Sequence, residues 1–152
     1  MYQTLINLPR WAKAGILLAF DLVAIVAAYY AGLFLRLNDL WPEAWLSRSL
    51  PLVALTLIAG GVLFFVLRLN TIKLAGFESS AAMRTAVWVV ILTVGGFALN
   101  LIIFSVPRTV PLIFGPILYL LVLGGRYTAL GLLAWLSAGE AGKTPAAIYG
   151  AG

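Results

Sequence analysis

Four apolar runs, each near the length needed to cross a bilayer, constrain this chain more than any other feature. A helix rises about 1.5 Å per residue and the hydrocarbon core is about 30 Å thick, so roughly 20 apolar residues suffice. The runs are Gly15 to Leu35, Leu50 to Leu67, Thr85 to Val106, and Val110 to about Leu136. Lipid offers the backbone no hydrogen-bond partners, so each run must satisfy its own N–H and C=O groups as a helix. The predicted fold class is therefore an all-α membrane protein, a bundle of four transmembrane helices occupying residues 1–137. The second run is short at 18 residues, and Arg126 interrupts the fourth. The second and third contain no ionisable residue, and the first contains Asp21.

Composition excludes several function classes. Apolar residues make up 63% of the chain and charged residues 10%, far from the soluble averages of roughly half and a quarter. Neither Cys nor His occurs, which removes disulfides, thiolate metal sites, the commonest metal ligand and the commonest general base. No catalytic or metal-ligating residue is expected within these 152 positions. The first run is long enough to span and lacks a small-residue cleavage site after it, so it reads as a retained helix.

The net charge of +5 is read as topology, with no nucleic-acid partner implied. Arg10, Lys13, Arg68, Lys73, Arg84, Arg126 and Lys143 fall on one side of the four spans, and Arg36, Arg48 and Arg108 on the other. The positive-inside rule then puts both termini in the cytosol. The outer loop from Asn38 to Trp45 fits, because it carries two acids and two Trp residues, the ring type enriched at membrane interfaces. Localisation follows as multi-pass in a membrane, with the lipid bilayer as first partner; the resemblance given below implies a bacterial inner (cytoplasmic) membrane. Between spans 2 and 3, Arg68, Lys73 and Arg84 with Glu78 form a surface that either meets anionic lipid, docks a soluble domain, or only sets orientation.

Pro107, Pro111 and Pro116 cluster at the turn into span 4, where the first ends one helix and the others start or bend the next. Spans 3 and 4 are therefore expected to form an antiparallel hairpin. Gly60-Gly61, Gly95-Gly96 and Gly124-Gly125 lie inside spans and permit close helix approach, within the bundle or in a homo-oligomer. Asn100 and Thr93 are expected to hydrogen-bond between helices. Residues 138–145 are small, polar and breaker-rich, and read as a linker. Residues 146–152 then read as a buried strand running into Gly150-Ala151-Gly152, the first two glycines of a dinucleotide-binding turn. The third glycine would fall at position 155, so the motif is incomplete and the chain is expected to be truncated at the start of a Rossmann domain.

Asp21 inside a span costs about 2.5 to 3.5 kcal/mol on insertion scales and must face the bundle. Two roles stand open. It is a structural group, paired with Arg126 or accepting a Ser or Thr hydroxyl, or it is the coupling carboxylate of a small four-span transporter. Arg126 lies at a comparable depth under the proposed topology, which makes Asp21 and Arg126 a candidate intramembrane polar pair. Arg36, 15 residues beyond Asp21, is about 22 Å away along the same helix and cannot reach it. Arg36 and Arg108 are candidate lipid or phosphate contacts, with snorkelling at a span end as the plainer reading.

Taken in order, these features resemble the bacterial membrane-bound nucleotide-sugar 4,6-dehydratases and epimerases of polysaccharide biosynthesis, over the whole chain. The resemblance rests on Arg10-Trp11-Ala12-Lys13, Asp21, Leu35-Arg36, Val106-Pro107-Arg108-Thr109-Val110, Gly124-Gly125-Arg126 and Ile148-Tyr149-Gly150-Ala151-Gly152. It implies a non-catalytic anchor for a cytosolic short-chain-dehydrogenase-type domain that uses NAD or NADP to dehydrate a UDP-activated N-acetylhexosamine. No cofactor would be bound by residues 1–152 alone. Implied partners are that catalytic domain, further copies of the chain and polyprenyl-linked glycan machinery. Residues 67 to 77 depart from the aromatic-rich pattern expected of the family. A polyprenyl-phosphate sugar-phosphate transferase, which also places four spans before a cytosolic domain, is the nearest alternative.

Overall fold

The computed structural model describes residues 10–69 and 79–140. Among these are four helices: α1 (Arg10–Leu37), α2 (Glu43–Val66), α3 (Ser79–Ile103) and α4 (Val110–Glu140). All four are long and apolar enough to cross a membrane. They pack in a ring in which α1 touches α2, α2 touches α3, α3 touches α4 and α4 returns to α1. Sequential neighbours are antiparallel, and the closing contact between α1 and α4 is also antiparallel. Phe20 and Asp21 meet Gly125 and Arg126 at one end, while Tyr29 and Gly32 meet Phe114 and Val110 toward the other. The end where α1 starts and α4 finishes is called the near end below, and the opposite one the far end.

Each helix presents one stripe to the core at the 3.6-residue period. On α1 the buried positions include Asp21, Ala24, Ile25, Ala28, Tyr29 and Leu33; on α4 they include Val110, Phe114, Leu118, Val122 and Arg126. Arg126 thus continues a run of apolar positions spaced by four, and Asp21 opens a run on the same period. Both charged side chains are buried because the periodicity of their helices points them inward.

Several boundaries differ from those read in the sequence. α2 begins at Glu43, seven residues earlier than expected, and runs 24 residues through Arg48 and Pro51. Pro51 removes only the bond to the Ser47 carbonyl, near the helix start, and its exposed ring lies where the bundle meets solvent or lipid. The second span is therefore of full length. α3 ends at Ile103, three residues short of Val106, because Phe104 turns to a φ of 52° while its N–H still bonds the Asn100 carbonyl. α4 continues to Glu140, so Ala138, Gly139 and Glu140, assigned above to a linker, are helical. Extending an existing helix by good helix formers outweighs one interior Gly, which costs only about 1 kcal/mol. The rest of the linker and the expected strand at 146–152 lie outside the described residues, as do Lys73, Glu78 and Lys143. Pro111 occupies the second position of α4, where a missing N–H is harmless, and Pro116 lies within the helix.

Candidate functional site: a charged clasp between the first and last helices

The polar residues of the interior fall in layers. In the layer toward the near end, Arg126 Nη2 donates to Asp21 Oδ2 at 2.9 Å, and Arg126 Nη1 donates to Thr85 Oγ1 at 2.9 Å. One guanidinium therefore ties α4 to both α1 and α3. All three side chains are buried, with Asp21 0%, Thr85 0% and Arg126 3% exposed. Two atoms of the pair, Asp21 Oδ1 and Arg126 Nε, have no hydrogen-bond partner among the described residues. The contact is thus single-pronged, without the two parallel bonds that an Arg–carboxylate fork forms.

Next to this layer the helices are held by neutral groups. Trp88 Nε1 donates to the Gly60 carbonyl at 3.1 Å, bridging α3 and α2. Thr56 donates its hydroxyl to the Leu52 carbonyl of its own helix at 2.8 Å, which leaves its oxygen to accept from Tyr29 Oη at 3.2 Å. The Tyr29 ring packs on Phe114 with centroids 4.3 Å apart. One glycine of each expected pair makes this possible. A Cβ on Gly60 would meet Ile25 at 2.7 Å, one on Gly96 the Tyr29 hydroxyl at 3.1 Å, and one on Gly125 the Phe20 ring at 2.1 Å. Their neighbours Gly61, Gly95 and Gly124 have nothing within 4 Å of such an atom.

At the far end Asn100 makes a two-way clasp with the backbone of the α3–α4 connection: Nδ2 donates to the Val106 carbonyl at 2.9 Å, and Oδ1 accepts the Val106 N–H at 3.0 Å. Thr93 donates to the Val89 carbonyl of its own helix. Neither forms the side-chain bond between helices expected from the sequence. Asn100 instead satisfies a backbone pair that lipid could not, and Thr93 satisfies its own hydroxyl on a carbonyl of its helix.

Of the candidates named from the sequence, Asp21 and Arg126 are brought together, with Thr85 as a third member that the sequence did not single out. Its signal was present: Thr85 stands three and four residues before Trp88 and Val89, at the near end of the buried stripe of α3. Arg36 and Arg108 are exposed at the far end, far from the clasp, and Arg48 lies over the Trp45 ring at 5.7 Å. Because Arg126 is inside the bundle, it leaves the count of topology-setting loop cations, which still favours the near end by six to three. Gly150 and Gly152 lie outside the described residues, and two of three glycines do not by themselves make a dinucleotide cradle. Among the described residues, no cluster of three or more acids forms a metal site. Compared with models of protein families, with curated proteins and with solved structures, the chain matches none.

Proposed function

We propose that this chain is a non-catalytic membrane anchor. It holds a nucleotide-sugar 4,6-dehydratase or epimerase domain against the cytosolic face of a bacterial inner membrane, close to polyprenyl-linked glycan acceptors. Membrane anchoring is carried by one observation: the interior charge is fixed in place by the fold. Arg126 is bonded to two helices at once, and toward the far end the interior above it is filled by the buried rings of Trp88, Tyr29 and Phe114. The buried hydroxyls of Ser49 and Thr56 are committed to carbonyls of their own helix. A transport site needs an ionisable group reached by a polar path, whereas a tied pair beneath an apolar, aromatic layer suits a static scaffold. The nature of the attached enzyme rests on the ordered motifs given above, from Arg10 to Gly152.

The test is enzymatic. This chain, and the product of the uninterrupted reading frame that contains it, are purified and incubated with a UDP-N-acetylhexosamine and NAD or NADP. A 4-keto sugar is expected from the longer product alone, with Gly at position 155. A stop codon at 153, or turnover by residues 1–152 themselves, overturns the anchor reading. Transfer of a sugar phosphate to polyprenyl phosphate by the longer product replaces the dehydratase with the transferase alternative. Asp21-dependent proton or cation flux in vesicles brings the transporter reading forward.

A further inference from the structure

The exposed tryptophans fall at two levels along the bundle. Trp11 on α1 is 78% exposed and Trp135 on α4 is 73% exposed. The clasp fixes their relative height. Trp11 lies ten residues before Asp21 and Trp135 nine residues after Arg126. Because α1 and α4 are antiparallel, each indole stands about 14 to 15 Å beyond the ion pair, toward the same end. At the far end Trp41 is exposed, its ring 6.5 Å from Tyr30, whose hydroxyl donates to the Leu40 carbonyl and draws the loop back over α1. From Trp11 to the end of α1 at Leu37 the helix rises about 39 Å.

That separation falls between the roughly 30 Å hydrocarbon core and the roughly 40 to 45 Å that includes headgroups, so both ends of α1 reach the interfacial regions. Indole, with an apolar body and one N–H donor, concentrates at those boundaries.

From this geometry we infer that Trp11 and Trp135 form a paired interfacial anchor at the headgroup–acyl boundary of the near leaflet, opposite Trp41 in the far leaflet. This surface is independent of any enzyme attached to the chain. The occupant is phospholipid at the carbonyl level, because an indole loses its apolar contacts in bulk water and its N–H partner among chain ends. One consequence is a depth for the clasp: the Asp21–Arg126 pair lies about 15 Å inside the near boundary, within hydrocarbon. Another is that α2 stops short of this level. Val66 is two residues past Phe64 and six past Gly60, which faces Ile25, so the end of α2 lies near the height of residue 19 of α1. Among the described residues, α1 and α4 are the helices that carry a tryptophan to the near-leaflet boundary.

The chain lacks cysteine, so a single introduced thiol reports depth without background. Trp11→Cys and Trp135→Cys, spin-labelled in phosphatidylcholine–phosphatidylglycerol vesicles, are read by their relative accessibility to oxygen and to a water-soluble nickel chelate. Both labels are expected at the boundary, within about 5 Å of one another in depth, and a label at Phe20→Cys about 13 Å deeper. A label in bulk water at either Trp position, or a difference of about 10 Å or more between the two, overturns the inference. Ile16→Cys leaves both indoles in place and is expected about 7 Å deeper than position 11. It supplies the same scale if a Trp variant does not fold, and a water-exposed label there likewise overturns the placement.

Discussion

The near and far halves of the bundle solve one problem in two ways. Both must join helices in a medium where an unpaired polar group has no water to turn to. The near half uses charge: one guanidinium and one carboxylate, pointed inward by their helices and compensating one another there, with Thr85 as a third hand. The far half uses neutral groups and shape: Asn100 on the Val106 backbone, Tyr29 on Thr56, and glycine faces under Ile25 and Tyr29. The charged device is costly to break at one partner and dispensable as a pair, while the neutral device yields in small, separable steps.

The largest effect tests the charged half. Arg126→Ala leaves a buried carboxylate alone and is expected to destabilise the bundle by about 3–5 kcal/mol, as is Asp21→Ala, read as the midpoint of denaturation in mixed micelles. The double variant Asp21→Leu/Arg126→Leu is expected to recover most of that loss. Additive losses in the double variant would remove the contrast between the halves. Next comes Asn100→Leu, which strips two bonds from a buried backbone pair and is expected to lower stability by about 1–3 kcal/mol. It should also speed proteolysis at the α3–α4 connection, a readout that Arg126→Ala leaves comparatively unchanged. Gly60→Ala forces its methyl against the fully buried Ile25 and is expected to lower stability by about 1–2 kcal/mol. Gly61→Ala, next to it and facing open space, should be neutral or slightly stabilising, which sharpens the assignment of faces. The smallest effect is Tyr29→Phe, about 0.6 kcal/mol, typical of a single hydroxyl bond between membrane helices.

How much of this was legible beforehand depended on whether a feature is periodic or relational. The four spans were legible because bilayer thickness imposes a length on apolar runs. The pairing of Asp21 with Arg126 was open to inspection because two opposite charges at matching depth in lipid have few alternatives. Thr85 was legible only as a position on the buried stripe of α3, not as a partner, since a Thr at a span edge carries no cost that demands one. Asn100 was read as a link between helices, yet it serves a backbone freed by the turn at Phe104, a need that arises only once α3 stops at Ile103. The early start of α2 was hidden by Arg48 and Pro51, which break an apolar window without breaking a helix. Within each glycine pair, composition could not choose the inward member, because that depends on the rotation of the whole helix.

The ring closes between α1 and α4, the first and fourth of the described helices, and this gives the clasp a schedule. Asp21 and Arg126 are separated by 105 residues. At a synthesis rate of about 5–20 residues per second, the carboxylate is made roughly 5 to 20 seconds before its counter-ion. Through that interval α1 must keep Asp21 at a hydrated edge, carry it protonated, or lend it to the insertion machinery. The ring is committed only when α4 arrives, so that helix acts as the latch on the three inserted before it.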